Sequence, residues 1–167
     1  MHSIGIRVST KQKEPKGKIF FAISKREDLK FNLIRTGNII IPASLEVPEQ
    51  LAFIRTNLLA VFKEYNVKHA GLRVAEGSAN IQIPYRKNIE GVIQEVFANS
   101  EIESYDSLLI NKFARIFEVN ASDIKKYINA ETVFLGVERE EWKSYSKEIR
   151  ECIISSISML VSLEEIS

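Results

Sequence analysis

SIGIRVS (residues 3–9), KIFFAIS (18–24) and FNLIRTGNIII (31–41) are the stretches that decide the fold. In the first, Ile4, Ile6 and Val8 alternate with small or polar residues, the period of a half-buried strand. The second is nearly all apolar. The third carries Gly37 as a candidate bulge. Between them lie a polar turn with Pro and Gly, Thr10 to Gly17, and a charged turn, Lys25 to Lys30. Three strands joined by short turns read as an antiparallel meander.

Downstream the period changes. Pro48 opens a helix whose Leu51, Ile54, Leu58, Val61 and Phe62 form one apolar face, ending near Tyr65 and Asn66. His69 to Val74 reads as a fourth strand, Gly77 to Ile83 as a loop, and the residues after Pro84 as a helix through Ile89, Val92, Ile93, Val96 and Phe97. Ile102 to Tyr105 reads as a fifth strand. Ser107 is a candidate cap for a helix through Leu109, Phe113 and Ile116, and Ser122 for a short one over Asp123 to Ile128. Thr132 to Gly136 is read as loop, and Ser146 to Leu163 as a last helix with Ile149, Ile153, Ile157 and Leu160 in one stripe. Helical crossovers place strands four and five parallel to strand one. The expected architecture is α/β: a mixed five-stranded sheet, meander plus two parallel strands, flanked by helices.

Composition sets the bounds. The 167 residues, 45% hydrophobic and 27% charged, suit one globular domain over 1–167. A net charge of +1 exerts no global pull on nucleic acid or membrane. Apolar runs fall short of a membrane span, the start lacks a signal-peptide pattern, and a single Cys fits a cytoplasmic protein. Locally, Arg7, Lys11, Lys13, Lys16 and Lys18 crowd one stretch with only Glu14 against them, a solvated turn or a phosphate-facing loop. Other chemistry is thin. His69 has no partner at metal-ligand spacing, Cys152 no His to activate it, and His2 sits at the terminus. Gly71 and Gly77 read as close packing and a turn. Trp142, with Tyr145, reads as packing within a charged segment.

The element order resembles the RuvC group of the ribonuclease H-like superfamily over nearly the whole chain. Ile4-Gly5-Ile6-Arg7 stands where RuvC resolvases carry an Ile-Asp-Pro-Gly start. His69 to Arg73 resembles the fourth strand, which ends in a glutamate in that family. Tyr85 to Asn99, Glu103-Ser104-Tyr105 and Ser146 to Leu163 resemble the elements that follow. The resemblance implies nucleic-acid cleavage with two divalent metals held by clustered carboxylates. Here the first and fourth strands offer Arg7 and Arg73 instead, and arginine cannot ligate a metal. Glu148 or Glu151 matches the acids of the terminal helix; Glu76 lies past the matching strand position.

Side by side, Arg7 and Arg73 need a counter-ion. Either Glu148 or Glu151 pairs with them internally, the preferred reading, or they form an anion site extended by Lys11, Lys13, Lys16 and Lys18. The function expected is a catalytically silent RuvC-like domain, without cofactor, binding DNA or RNA backbone, a protein partner or a second copy. The alternative is a Mg- or Mn-dependent, Holliday-junction resolvase-like nuclease with displaced acids drawn from Glu76, Glu148, Glu151 and Asp106.

Overall fold

β1 (His2–Thr10) is the centre of the molecule, a computed structural model that describes residues 1–10, 16–76 and 84–163. It pairs antiparallel with β2 (Gly17–Glu27) and parallel with β4 (Val67–Arg73). β3 (Lys30–Ile40) closes one edge against β2, and β5 (Ser104–Leu108), parallel to β4, closes the other. The order β3-β2-β1-β4-β5 is the mixed sheet that the alternation and crossovers predict. One face is covered by α1 (Val47–Glu64) and α2 (Pro84–Ala98) around Ile4, Ile6 and Val8. The other is covered by α6 (Lys147–Ser162), backed by α3 (Ile110–Ile116), α4 (Ala121–Ile128) and α5 (Arg139–Ser144).

α6 is buried all round from Arg150 to Leu160, not along one stripe. Small residues explain how close it comes. Ala22, Gly5 and Gly71 lie side by side across three strands. A Cβ on Gly5 would sit 1.9 Å from the Cys152 carbonyl oxygen, and one on Gly71 3.1 Å from that of Ser155. Ser3 Oγ donates to the Ser156 carbonyl at 2.7 Å, and Ser24 Oγ bonds the Ser156 hydroxyl at 2.6 Å. Helix and sheet therefore meet through backbone and hydroxyls, with α6 running antiparallel to β1.

Some expectations shift. The bulge in β3 falls at Ile34, between Arg35 opposite Ile23 and Leu33 opposite Ser24. Gly37 instead leaves room for the Phe21 ring, 2.7 Å from where its Cβ would be. β5 begins later than expected, so Ser107 is a strand residue. Leu109 caps α3 without a side-chain bond, and Asn120, not Ser122, caps α4 through a reciprocal pair with Asp123. α5 was not anticipated: six residues with one buried side chain, Trp142, are too short for a period to show. Trp142 Nε1 donates to the Tyr127 carbonyl at 2.9 Å, and its ring packs on Phe134 from the 132–136 loop. Gly77 and the Gly77–Ile83 loop lie outside the described residues.

Candidate functional site

Parallel pairing of β1 and β4 ends on Arg7 opposite Arg73. Both side chains follow Gly5 and Gly71 by two residues, so they rise on the α6 face. Two strand residues advance ~6.7 Å and one helical turn 5.4 Å. The turn of α6 that precedes the Gly5 contact therefore arrives over the arginines. Its residue there is Glu151, whose carbonyl also accepts from Ser155 Oγ at 2.7 Å.

The Glu151 carboxylate lies between the two guanidiniums. Oε2 pairs with Arg7 Nη1, and Oε1 lies 3.6 Å from Arg73 Nε. Arg73 is held further by Glu76 at 2.8 Å, by the Leu108 carbonyl at 3.3 Å, and over the Phe113 ring at 5.9 Å. Glu76 Oε1 also accepts from the Ile110 amide at 3.0 Å, so it supplies the capping group that Leu109 lacks. Burial pulls the Arg7 and Arg73 pKa values down, and nearby Arg86 pushes both the same way. Glu148 raises that of Arg7 through space but makes no ion pair among the described residues. Asp106 pairs with Lys112, away from the arginines.

These groups floor a cleft of about 370 Å³ between the carboxyl ends of β1 and β4, α2, and the helices α3, α4 and α6. Sequence reasoning missed three of its cations: Arg86 on α2, Lys125 on α4 and Lys147 at the start of α6. Arg86 pairs with the buried Glu90 at 2.8 Å. Lys125 and Lys147 are exposed and make no ion pair among the described residues. Five cations thus face two carboxylates, Glu76 and Glu151. Arg86 and Lys147 stand in the first turns of their helices, where the macrodipole favours acids. That inverted charge was a readable signal; Lys125, near a helix end where cations are ordinary, gave none.

Only the end of the basic turn, from Lys16 onward, lies within the described residues. Lys11 and Lys13 lie outside the described residues. Lys16 and Lys18 are exposed and line a second cavity of about 460 Å³ at the open end of the meander, with Phe20 and Ile40. Cys152 is buried, donates to the Phe20 carbonyl at 3.2 Å, and has its thiol pKa pushed up by burial, which leaves it unreactive. His69 is buried with Nδ1 2.7 Å from Ser104 Oγ. Among the described residues no three Asp, Glu, His or Cys side chains cluster as a metal site requires.

No family model matches the chain, and no curated protein is similar to it in sequence. Solved structures are similar in fold. Thermus thermophilus RuvC superposes with TM-score 0.67 at 8% identity, over 99% of this chain and 96% of that one. T. thermophilus RuvC in complex with a Holliday junction substrate gives TM-score 0.66 at 10% identity with the same coverage. The yeast mitochondrial Holliday junction resolvase gives 0.52 at 10% identity, over 98% of this chain and 81% of that one. The chain therefore has the ribonuclease H-like α/β fold of RuvC and other Holliday-junction resolvases. No helix among the described residues is long and apolar enough to cross a membrane.

Proposed function

We propose that residues 1–167 form one RuvC-like domain that binds a nucleic-acid backbone at the cationic cleft and does not cut it. The observation that carries this reading is the Glu151 carboxylate held between Arg7 and Arg73. Hard divalent ions need converging carboxylate oxygens. Here the acid from α6 is committed to two guanidiniums, and guanidinium neither ligates metal nor loses its proton near neutrality. The residues present do not fit a two-metal centre. The displaced-acid nuclease is the weaker reading on the same grounds. Glu76 holds Arg73 and the α3 start, Asp106 holds Lys112, and Glu148 makes no ion pair among the described residues and acts on Arg7 through space.

Binding uses the charge that remains. Glu151 and Glu76 neutralise the floor, so Arg7 and Arg73 set the shape of the cleft and the lysines at its mouth set its potential. Lys125 and Lys147 face its mouth and contact phosphate, while Arg86, held by Glu90, lines the wall. Similarity in fold to T. thermophilus RuvC in complex with a Holliday junction substrate supports nucleic acid as the class of ligand. Two phosphate contacts make log Kd rise with log salt at a slope of about 2 for a duplex. Lys125→Glu and Lys147→Glu should each weaken binding in fluorescence anisotropy without altering the fold, and each Lys→Ala should flatten the slope by about one. Unchanged affinity in the double Lys→Glu variant would refute the site and turn attention to a protein partner or a second copy of the chain.

A further inference from the structure

The second cavity extends this reading to a kind of strand. We infer that the cavity at the open end of the meander seats an unpaired nucleobase, so that the ligand is single-stranded, with its phosphates in the neighbouring cleft. The inference rests on the backbone-binding reading above.

Three observations converge. First, the walls are apolar and include an aromatic ring: Phe20, Ile40 and Pro42 line a recess of about 460 Å³, within the usual range for small-molecule sites, ~300–1,000 Å³. Ile40 is 63% exposed, a large apolar side chain left open on a strand end. Second, the rim is basic, with Lys18 exposed beside the apolar wall, which complements an anionic ligand that carries a flat apolar part. Third, the two sites adjoin. Phe20 is the registered cross-strand partner of Arg7, and both side chains rise on the α6 face. Neighbouring strands lie ~4.8 Å apart, so one short segment of a strand reaches both.

An aromatic wall next to a cationic groove is the arrangement that binds single strands by stacking with little regard to sequence. A base inside a duplex has both faces covered and must be extruded before it can enter such a recess. The chemistry therefore favours an unpaired strand over a duplex.

The test compares three fluorescein-labelled probes of equal length by anisotropy: an oligothymidylate, the same backbone with abasic sites, and a duplex. The thymidylate should bind about tenfold tighter than the abasic strand, the effect of one stacked base. Phe20→Leu should remove that advantage and leave the abasic strand unaffected. If Phe20→Leu does not fold, Ile40→Ser, at an exposed position, makes the same comparison. Equal binding of thymidylate and abasic strand, with the salt dependence intact, overturns this inference alone; so does a duplex bound as tightly as the single strand. Failure of all three probes to bind overturns the backbone reading as well.

Discussion

Replacing Glu151 by Gln removes the charge that holds Arg7 and Arg73 together and leaves their shape-fit nearly unchanged. The magnitude follows from who else can neutralise them. Arg73 keeps Glu76 and a carbonyl partner. Arg7 keeps only the distant field of Glu148. The Glu151 side chain is 4% exposed and that of Arg7 20%, so water compensates the stranded charge only in part. Breaking a buried pair from one side costs ~3–5 kcal/mol; the partial exposure of Arg7 puts this case at the lower end, about 3 kcal/mol. For a chain of this size that is a drop in Tm of roughly 6–12 °C. Urea unfolding followed by the fluorescence of Trp142, buried and the only tryptophan, reads it directly. Arg7→Met in the same background should recover part of the loss, with a coupling energy of about 2 kcal/mol. Phosphate should stabilise Glu151→Gln more than it does the parent at equal ionic strength, because a free anion can enter between the guanidiniums. A cost below about 1 kcal/mol, or strictly additive single and double variants, would refute the claim that this carboxylate organises the site.

Gly5→Ala should destabilise by about 3 kcal/mol or more, since its Cβ meets α6 backbone. Gly91→Ala, with open space around it in an exposed stretch of α2, should stabilise by ~0.5–1 kcal/mol; thermal melts rank the two. Burial holds the His69 pKa below its usual range, and His2 shifts the same way. The unfolded chain therefore takes up protons below about pH 6.5 that the folded chain resists. Stability is fully present above that pH and is lost as pH falls below it; His69→Gln should flatten the fall in urea midpoint between about pH 7 and 5.5. Arg150, nearly buried, donates to the carbonyls of Ile128, Trp142 and Tyr145. Arg150→Met should loosen α5 and red-shift Trp142 emission before global unfolding; an unchanged spectrum would contradict that role.

The sheet was legible because its strands carry clean alternation and its crossovers leave one sensible order. The side-by-side placement of Arg7 and Arg73 came from the RuvC-like resemblance, in which strands one and four are neighbours, and the β1–β4 register puts them opposite one another. The start of β5 was not legible. Ile102 is buried like a strand residue although it precedes the strand, while Asp106 and Ser107 look like loop. Nor could Glu148 and Glu151 be separated, since three residues apart they share a helix face. The rotation of α6 is set by its contact with Gly5 and Gly71, a tertiary fact. The cleft's remaining cations were missed because they come from three helices far apart in the chain. Only the first-turn placement of Arg86 and Lys147, against the helix dipole, marked them locally.

The central claim is that this resolvase-like fold holds nucleic acid without cutting it. The most direct measurement incubates the purified chain with labelled single-stranded, duplex and four-way-junction DNA, with and without Mg²⁺ or Mn²⁺, and follows binding across salt and strand integrity together. The account predicts binding that weakens steeply with salt, is indifferent to metal beyond ionic strength, and leaves every strand intact. Cleavage that requires metal and disappears in Glu151→Gln would contradict it.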